Sequence, residues 1–323
     1  MFDNIKLEKG LYNLSGKTFL QALEEADPNE DYVDTPLKSL DAYERQLKRF
    51  NIKTNGAHCD RVEKFFSTTE SAVLFPEYLK RCILQGIEDS HIGDIVAVKT
   101  VVDTTSYKGL TLVDSSSYYN NVAEGATMSD SSIFESSVAL DVKKLARIIN
   151  CSYEVIRQQK IDMLSLQLRV VGRKLGLALY SKALTAVTDS ATTVSTASKD
   201  IAYSDLVNLF GSFTTYDANT IVASPAVCAA ILQLPEVAEN CCCNASSDIV
   251  LPFGAKLIKS TSLDNTKVVA LDRNFALEYV TTSDINITTD TLINRQLDRV
   301  AVGIPYLFRT ISADAMKVLT VTQ

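Results

Sequence analysis

The sequence predicts an α+β chain. A proline-free stretch over 151–189 carries helical periodicity, a β-rich section precedes it over 92–149, and helical and strand patterns alternate after Asp200. At 323 residues, with 46% hydrophobic and 22% charged residues, the chain can bury a large core and is expected to hold two lobes. No apolar run reaches bilayer length, and the N-terminus lacks the basic start and apolar middle of a signal peptide. Synthesis and folding in a cytosol are therefore expected.

The first suggestive run is GLYNLSGKTF, residues 10–19. A phosphate loop requires G-x-x-x-x-G-K-[ST], so that backbone amides curl around the phosphates, and Gly10 to Gly16 is one residue too long. Ser15-Gly16 is instead expected to cap a short helix carrying Phe19, Leu20 and Leu23. Between Glu24 and Glu44 lie eight acids against one base, Lys38. They predict a solvated face, or else an arm that avoids polyanions or docks on a basic neighbour. Thr35-Pro36 is a helix start, with Leu37, Leu40, Tyr43, Leu47 and Phe50 repeating at helical spacing to about Asn51. After the polar bridge NIKTNGAHCD, a short helical patch falls within 64–90.

The β-rich section begins at IGDIVAVKTVVDTTSYKGLTLVD, with a turn expected at Tyr107-Lys108-Gly109. SSSYYNNVAEGATMSDSS, 115–132, reads as an exposed excursion. Strand-like residues resume at Ile133, Phe134, Val138 and Leu140, and Ile148 and Ile149 close the section. The next stretch is expected to be one helix from Ser152 to about Val187, roughly 50 Å long at about 1.5 Å per residue. Ile156, Leu164, Leu168, Val171, Leu175 and Ala178 form its stripe, and Gly172 and Gly176 either weaken it or admit a close neighbour. A strict seven-residue repeat is missing, so a buttress seating both lobes suits it better than a coiled coil. Beyond it, SDLVNLFGSF reads as a helix, NTIVAS as a strand, and Ser224-Pro225 opens a second helix. Val300, Val302, Ile304 and Leu307 suit a late strand, and Ala313 with Ala315 to Val321 finish in a helix turn or strand.

Catalytic constellations are missing from the sequence. His58 adjoins Cys59 in a loop-like run, but sequence neighbours rarely converge as a Cys-His nucleophile must. His91 sits at a segment boundary, where a local hydrogen bond is expected. Glu24, Glu25 and Asp27 cluster in a polar stretch rather than at opposed strand ends. No G-x-S-x-G elbow, helical H-x-x-x-H or dinucleotide glycine loop occurs. Cys241, Cys242 and Cys243 are adjacent and cannot make the C-x-x-C turn for zinc, while Cys59, Cys82, Cys151 and Cys228 are scattered as small buried groups would be. No catalytic, cofactor-binding or metal site is assigned. The net charge of -7 excludes a basic nucleic-acid binder. Lys160, Arg169, Arg173, Lys174 and Lys182 on the long helix lack interleaved aromatics, so they form a solvated flank or a weak, salt-sensitive contact surface for neighbouring subunits or phosphates.

The order of these elements resembles the major capsid protein family of tailed bacteriophages, with the Hong Kong 97-type fold. The likeness covers roughly 65–323 and lies in LFPEYLKRCILQGI at 74–87, VAEGATMSDSSI at 122–133, SYEVIRQQKIDMLSLQLRVVGRKLGLALYSKAL at 152–184, TIVASPAVCAAIL at 220–232, LPFGAKLIKSTSLDNTKVVALDRNFALEYV at 251–280 and LINRQLDRVAVGIPYLFRTISADAMKVL at 292–319. It implies an N-terminal arm with an acidic leader over 1–91 and an extended E-loop hairpin over 92–133. It implies a peripheral domain over 134–199 and 266–323, with a spine helix at 152–187, and an axial domain over 200–265. Residues 1–64 fit it least; they are either a scaffolding segment or a long arm.

The implied function is structural and non-enzymatic: hexamers and pentamers closing into an icosahedral head around double-stranded DNA, assembled in the bacterial host cytoplasm. Expected partners are other copies, a portal protein, scaffolding or decoration proteins, and packaged DNA by weak non-specific contact, with no membrane and no cofactor. A long hairpin over 94–133 cannot bury itself on its own chain and becomes stable by lying over another subunit, while an acidic wall does not hinder DNA filling. Some relatives form lysine–asparagine isopeptide bonds. Lys108 lies at the expected hairpin tip, but without an identifiable asparagine or promoting acid no crosslink is predicted. The alternatives are an encapsulin-like nanocompartment shell of the same fold and a soluble α/β enzyme with an unfamiliar site.

Overall fold

The computed structural model describes residues 5–13, 17–33, 35–114, 121–195, 201–240, 242–243 and 248–321. From the N-terminus come α1 (Phe19–Ala26), α2 (Ala42–Arg49), α3 (Thr69–Ala72) and α4 (Leu74–Glu88). The β-rich section follows as β1 (Val98–Val101), β2 (Ser106–Tyr107), β3 (Leu110–Asp114), β4 (Ser131–Glu135), β5 (Leu140–Asp141) and β6 (Lys143–Ser152). Then come α5 (Tyr153–Gln158), α6 (Ile161–Ser190) and β7 (Thr192–Ser195). The chain continues through α7 (Tyr203–Gly211), β8 (Thr220–Ala223), α8 (Pro225–Gln233), α9 (Pro235–Asn240), β9 (Cys242–Cys243) and β10 (Ile249–Val250). It closes with β11 (Lys256–Lys259), β12 (Lys267–Leu271), β13 (Leu277–Thr281), β14 (Asn286–Leu292), β15 (Leu297–Thr310) and β16 (Met316–Thr320).

Local chemistry moves several expected boundaries. The cap of α1 is Thr18, whose hydroxyl accepts from the Gln21 amide while the Gln21 side chain accepts from the Thr18 amide. The expected cap at Ser15-Gly16 falls on residues outside those described. The second helix does not start at Thr35-Pro36. Residues 35–40 are turns, and Asp41 with Glu44 forms a reciprocal capping box that starts the helix at Ala42. Ser224-Pro225 does open a helix, with the Ser224 hydroxyl accepting from the Val227 amide.

The expected rod from Ser152 to Val187 is two helices. Gln159 is extended, and the backbone of 159–161 is taken up by the segment 60–62: Val62 donates to the Gln159 carbonyl and Ile161 to that of Asp60, around an Arg61–Lys160 bridge. A helix cannot run through residues whose amides and carbonyls are paired across to another strand. The continuous rod is therefore α6, which runs on to Ser190.

The chain divides into two compact units. The first comprises 1–90, 146–176 and 285–303. In it α4 packs on the first half of α6 at glycine distance: a Cβ on Gly86 would overlap the Arg169 carbonyl, and one on Gly172 the Ile83 carbonyl. The Tyr78 hydroxyl donates to the Ile161 carbonyl at 3.2 Å. β14 runs antiparallel to the first half of β15, from Asn286↔Gly303 to Leu292↔Leu297, and β6 also pairs with β15.

The acidic N-terminal segment is part of this unit rather than only a solvated face. Arg45, fully buried, bonds Asp27 Oδ2 at 3.1 Å, the Asp27 and Leu40 carbonyls and the Asn29 side chain, and stacks over Tyr32. Tyr43 and Tyr12 donate to the Leu74 and Val73 carbonyls at 3.1 and 2.8 Å, which ties the segment to the start of α4.

The second unit comprises 91–145, 177–284 and 304–323. Its sheet has the order β7-β16-β12-β8-β11-β10-β9. It thus extends past 200–265, because β12 pairs antiparallel with both β8 and β16. One apolar cluster on it gathers Leu206, Leu209, Ile221, Ile231 and Val268, and another joins Tyr180, Leu184 and Val187 of α6 to Val222, Val269 and Val318. The chain end at 313–320 is a short 3-10 turn followed by β16. The second half of β15 pairs antiparallel with β13, which pairs in parallel with β1.

Candidate assembly surface

Between β2 and β5 the chain leaves the sheets as a two-stranded ribbon. β3 and β4 pair antiparallel through Leu110↔Glu135, Thr111↔Phe134, Leu112↔Ile133 and Val113↔Ser132. Opposed residues of an antiparallel pair share a face. One face therefore carries Leu110, Leu112 and Ile133 with Glu135, the other Val113 and Phe134 with Thr111. Neither is covered: Leu110 and Ile133 are each 67% exposed, and Leu112 and Phe134 each 59%. Met128 and Val138 are exposed as well. An isolated two-stranded ribbon is marginal in water, and contiguous exposed apolar side chains mark a surface meant for a partner.

The ribbon is held at its root. Arg309 of β15 donates to the Leu110 carbonyl at 2.6 Å and the Thr111 hydroxyl at 3.3 Å, and pairs with Glu278 of β13 at 3.3 Å. Glu278, 6% exposed, also accepts from Thr100 at 2.6 Å and from the Tyr107 hydroxyl at 2.9 Å. Burial, and then the Glu278 carboxylate, push the Tyr107 phenol up, so it stays a donor. A Cβ on Gly109 would collide with the Arg309 guanidinium, so the glycine leaves room for this lock. Lys108 is consequently at the root and not at the tip. Tyr107 pairs with Leu140, and the ribbon begins after Gly109.

The residues weighed for chemistry do not converge. His58 is exposed while Cys59 is buried, its thiol donating to the Thr54 carbonyl and accepting from the Asp162 amide. His91 faces Asp94 at 3.1 Å. Burial pushes the Cys82, Cys151 and Cys228 thiols up, which keeps them protonated and poor nucleophiles. The side chains of Cys241, Cys242 and Cys243 lie outside the described residues. Glu24 and Glu25 pair with Arg45 and Lys17, and Asp27 belongs to the buried Arg45 network. Among the described residues no cluster of His, Cys, Asp or Glu is arranged to hold a metal, and no helix is long and apolar enough to cross a membrane. Lys160, just before α6, and Arg169, Arg173, Lys174 and Lys182 on it are exposed, with Arg169 beside Asp89 at 3.3 Å. The bare ribbon falls at the end of the 94–133 hairpin that the sequence reading expected to stay unburied on its own chain. Period-2 alternation puts an apolar residue on one face without saying whether anything covers it.

No curated protein matches the sequence. Among solved structures, the virus-like particle of Pyrococcus furiosus superposes with a TM-score of 0.53 at 14% identity, over 75% of this chain and 98% of that one. Microbacterium phage Oxtober96 gives 0.51 at 13% identity, over 71% and 90%. The holo-SrpI encapsulin complex of Synechococcus elongatus PCC 7942 gives 0.52 at 14%, over 70% and 86%. At such identities the likeness establishes the fold, which is the Hong Kong 97-type capsid fold, mixed in helix and sheet. The family model described as phage capsid protein matches residues 135–311, more than half of the chain. A shell-forming, structural and non-enzymatic role follows, as a component of the virion capsid that assembles with its own copies. The uncovered ribbon agrees with it: the chain belongs to the phage capsid protein family.

Proposed function

We propose that the chain self-assembles as hexamers and pentamers into an icosahedral phage head enclosing double-stranded DNA. The observation that carries this reading is the ribbon of β3 and β4, rooted by Arg309 and Glu278 and apolar on both faces. Covering Leu110, Leu112 and Ile133 with a neighbouring copy contributes about 1–2 kcal/mol each. A head-to-tail contact of this kind closes into rings when its rotation permits. Within that head, 1–91 serve as the N-terminal arm and 92–133 as the E-loop. Residues 134–199 with 266–323 serve as the peripheral domain, and 200–265 as the axial domain. Assembly takes place in the host cytoplasm, with a portal protein and scaffolding or decoration proteins as further partners. A net charge of -7 keeps contact with packaged DNA weak, non-specific and salt-sensitive.

The likeness to the SrpI encapsulin favours one second reading, a cargo-enclosing compartment of the same fold. The experiment is electron microscopy of the purified chain and of particles from infected or expressing cells, with their contents extracted after nuclease treatment. Closed shells with five-fold and six-fold capsomers and nuclease-protected DNA are expected. Shells holding a protein cargo and no DNA would select the compartment, and a chain that stays monomeric at high concentration would end both readings.

A further inference from the structure

The polar bridge that follows α2, residues 51–60, holds the one Asn-Gly pair of the sequence, Asn55-Gly56. The base of this loop is pinned. The Lys53 amide donates to Asp60 Oδ2 at 2.7 Å and the Asp60 amide to the Lys53 carbonyl at 2.9 Å. Lys64 pairs with the same carboxylate oxygen at 2.9 Å, and the Cys59 thiol donates to the Thr54 carbonyl at 3.3 Å. The far side of the base is tied to the start of α6: the Asp60 carbonyl accepts from the Ile161 amide, and the Cys59 sulfur from the Asp162 amide. Between these ties, residues 55–58 are all exposed.

Three features of this tip bear on the side-chain amide of Asn55. Gly56 turns at a φ of 91°, in the left-handed region that glycine enters without a steric clash. A Cβ built on it would meet nothing within 4 Å, so the space beside it is open. Among the described residues the Gly56 amide donates to no acceptor, whereas its carbonyl is taken by the Cys59 amide at 3.0 Å. A main-chain amide in a helix or ladder must break a hydrogen bond before it can act as a nucleophile. This one has none to break, and its own residue carries no side chain to crowd the approach.

We propose that Asn55 is a self-modification site, converting to aspartate and isoaspartate in the folded chain. The Gly56 nitrogen loses its proton and attacks the Asn55 Cγ. The new N–C bond closes a succinimide ring, the Cγ–Nδ2 bond breaks, and the side-chain nitrogen leaves with a proton as ammonia. Water then opens the ring at either carbonyl. One opening leaves an aspartyl side chain; the other leaves isoaspartate, with a methylene added to the main chain. Both products carry a negative charge where the amide was neutral, and this chemistry is one reason asparagine counts among the thermally labile residues. The pinned base confines the change to the tip and leaves the start of α6 undisturbed. The inference stands apart from the shell reading, although a copy built into a shell and not replaced would accumulate the change.

The test is incubation of the full-length chain in mildly alkaline buffer, followed over days by tryptic peptide mapping. The peptide 54–61 should gain one mass unit and split into aspartyl and isoaspartyl forms sooner than any other asparagine-containing peptide. The rate should rise with pH, because the attacking species is the deprotonated amide. Gly56→Ala should slow the shift, since a methyl group then flanks the nitrogen, and Asn55→Ser should abolish it. Residue 55 is exposed, so Asn55→Ser should leave the melting temperature nearly unchanged. A peptide that keeps its mass in the folded chain but shifts in guanidinium would overturn the proposal. So would an equal rate at the other asparagines, or an undiminished rate in Gly56→Ala.

Discussion

Arg45 is the residue with the most at stake in the first unit. Its guanidinium reaches Asp27, Asn29 and the Leu40 carbonyl together, and both it and Asp27 are cut off from water. Removing one partner strands the other charge, so Arg45→Ala should cost about 3–5 kcal/mol in urea denaturation. Arg45→Lys should recover only part of that loss, since one ammonium cannot reproduce the fork. Glu77 poses the opposite case. Burial pushes its carboxyl up against the pull of Lys80 and Arg81, so the folded chain holds the proton beyond the usual 4.5. The proton is then bound more tightly in the folded state. The associated stability is full below 4.5 and is lost as pH rises through the folded value. Glu77→Gln should flatten the part of the melting-temperature profile that falls as pH rises above 4.5. Arg81 keeps Asp41 at 2.7 Å in that variant. An unchanged slope would show that Glu77 ionises as freely folded as unfolded.

At the scale of elements, the α4–α6 contact depends on small residues. Gly86 and Gly172 let backbone meet backbone, and the obstacles to a side chain there are carbonyls rather than movable tips. Gly86→Ala and Gly172→Ala should each cost about 1–3 kcal/mol, read by chemical denaturation. A Cβ on Gly172 would also touch the Gly86 Cα, so the two share one gap. Once the first alanine has forced the helices apart, the second should cost less, and the double variant should fall short of the sum. The sequence named Gly172 as a spot for close approach; what it could not name was the partner, because Gly86 lies far away along the chain. The break at Gln159 was hidden for the same reason. No proline or glycine marks it, and only pairing with 60–62 makes it necessary.

For the whole molecule, the decisive quantity is how little the ribbon contributes to the stability of a lone chain. Leu112 and Ile133 are more than half exposed, so Leu112→Ser/Ile133→Ser should leave the melting temperature of unassembled protein nearly unchanged. The same substitutions should abolish or sharply reduce particle formation, followed by light scattering and sedimentation. A variant that unfolds instead would mean the ribbon is packed within its own chain. That separation between folding and assembly is what a shell subunit needs: each copy reaches a stable shape first and keeps its association surface for its neighbours.

The sequence by itself determined the α+β class, the long rod, the Ser224-Pro225 helix start and the run of late strands, since each follows from local periodicity or capping chemistry. Tertiary structure decided where the rod begins, that the acidic leader is clasped by Arg45, that Lys108 sits at the root of the ribbon, and that β12 joins β8 to β16. These depend on contacts between residues far apart in the chain. A local pattern records which side chains avoid water, but not which distant backbone or charge will meet them.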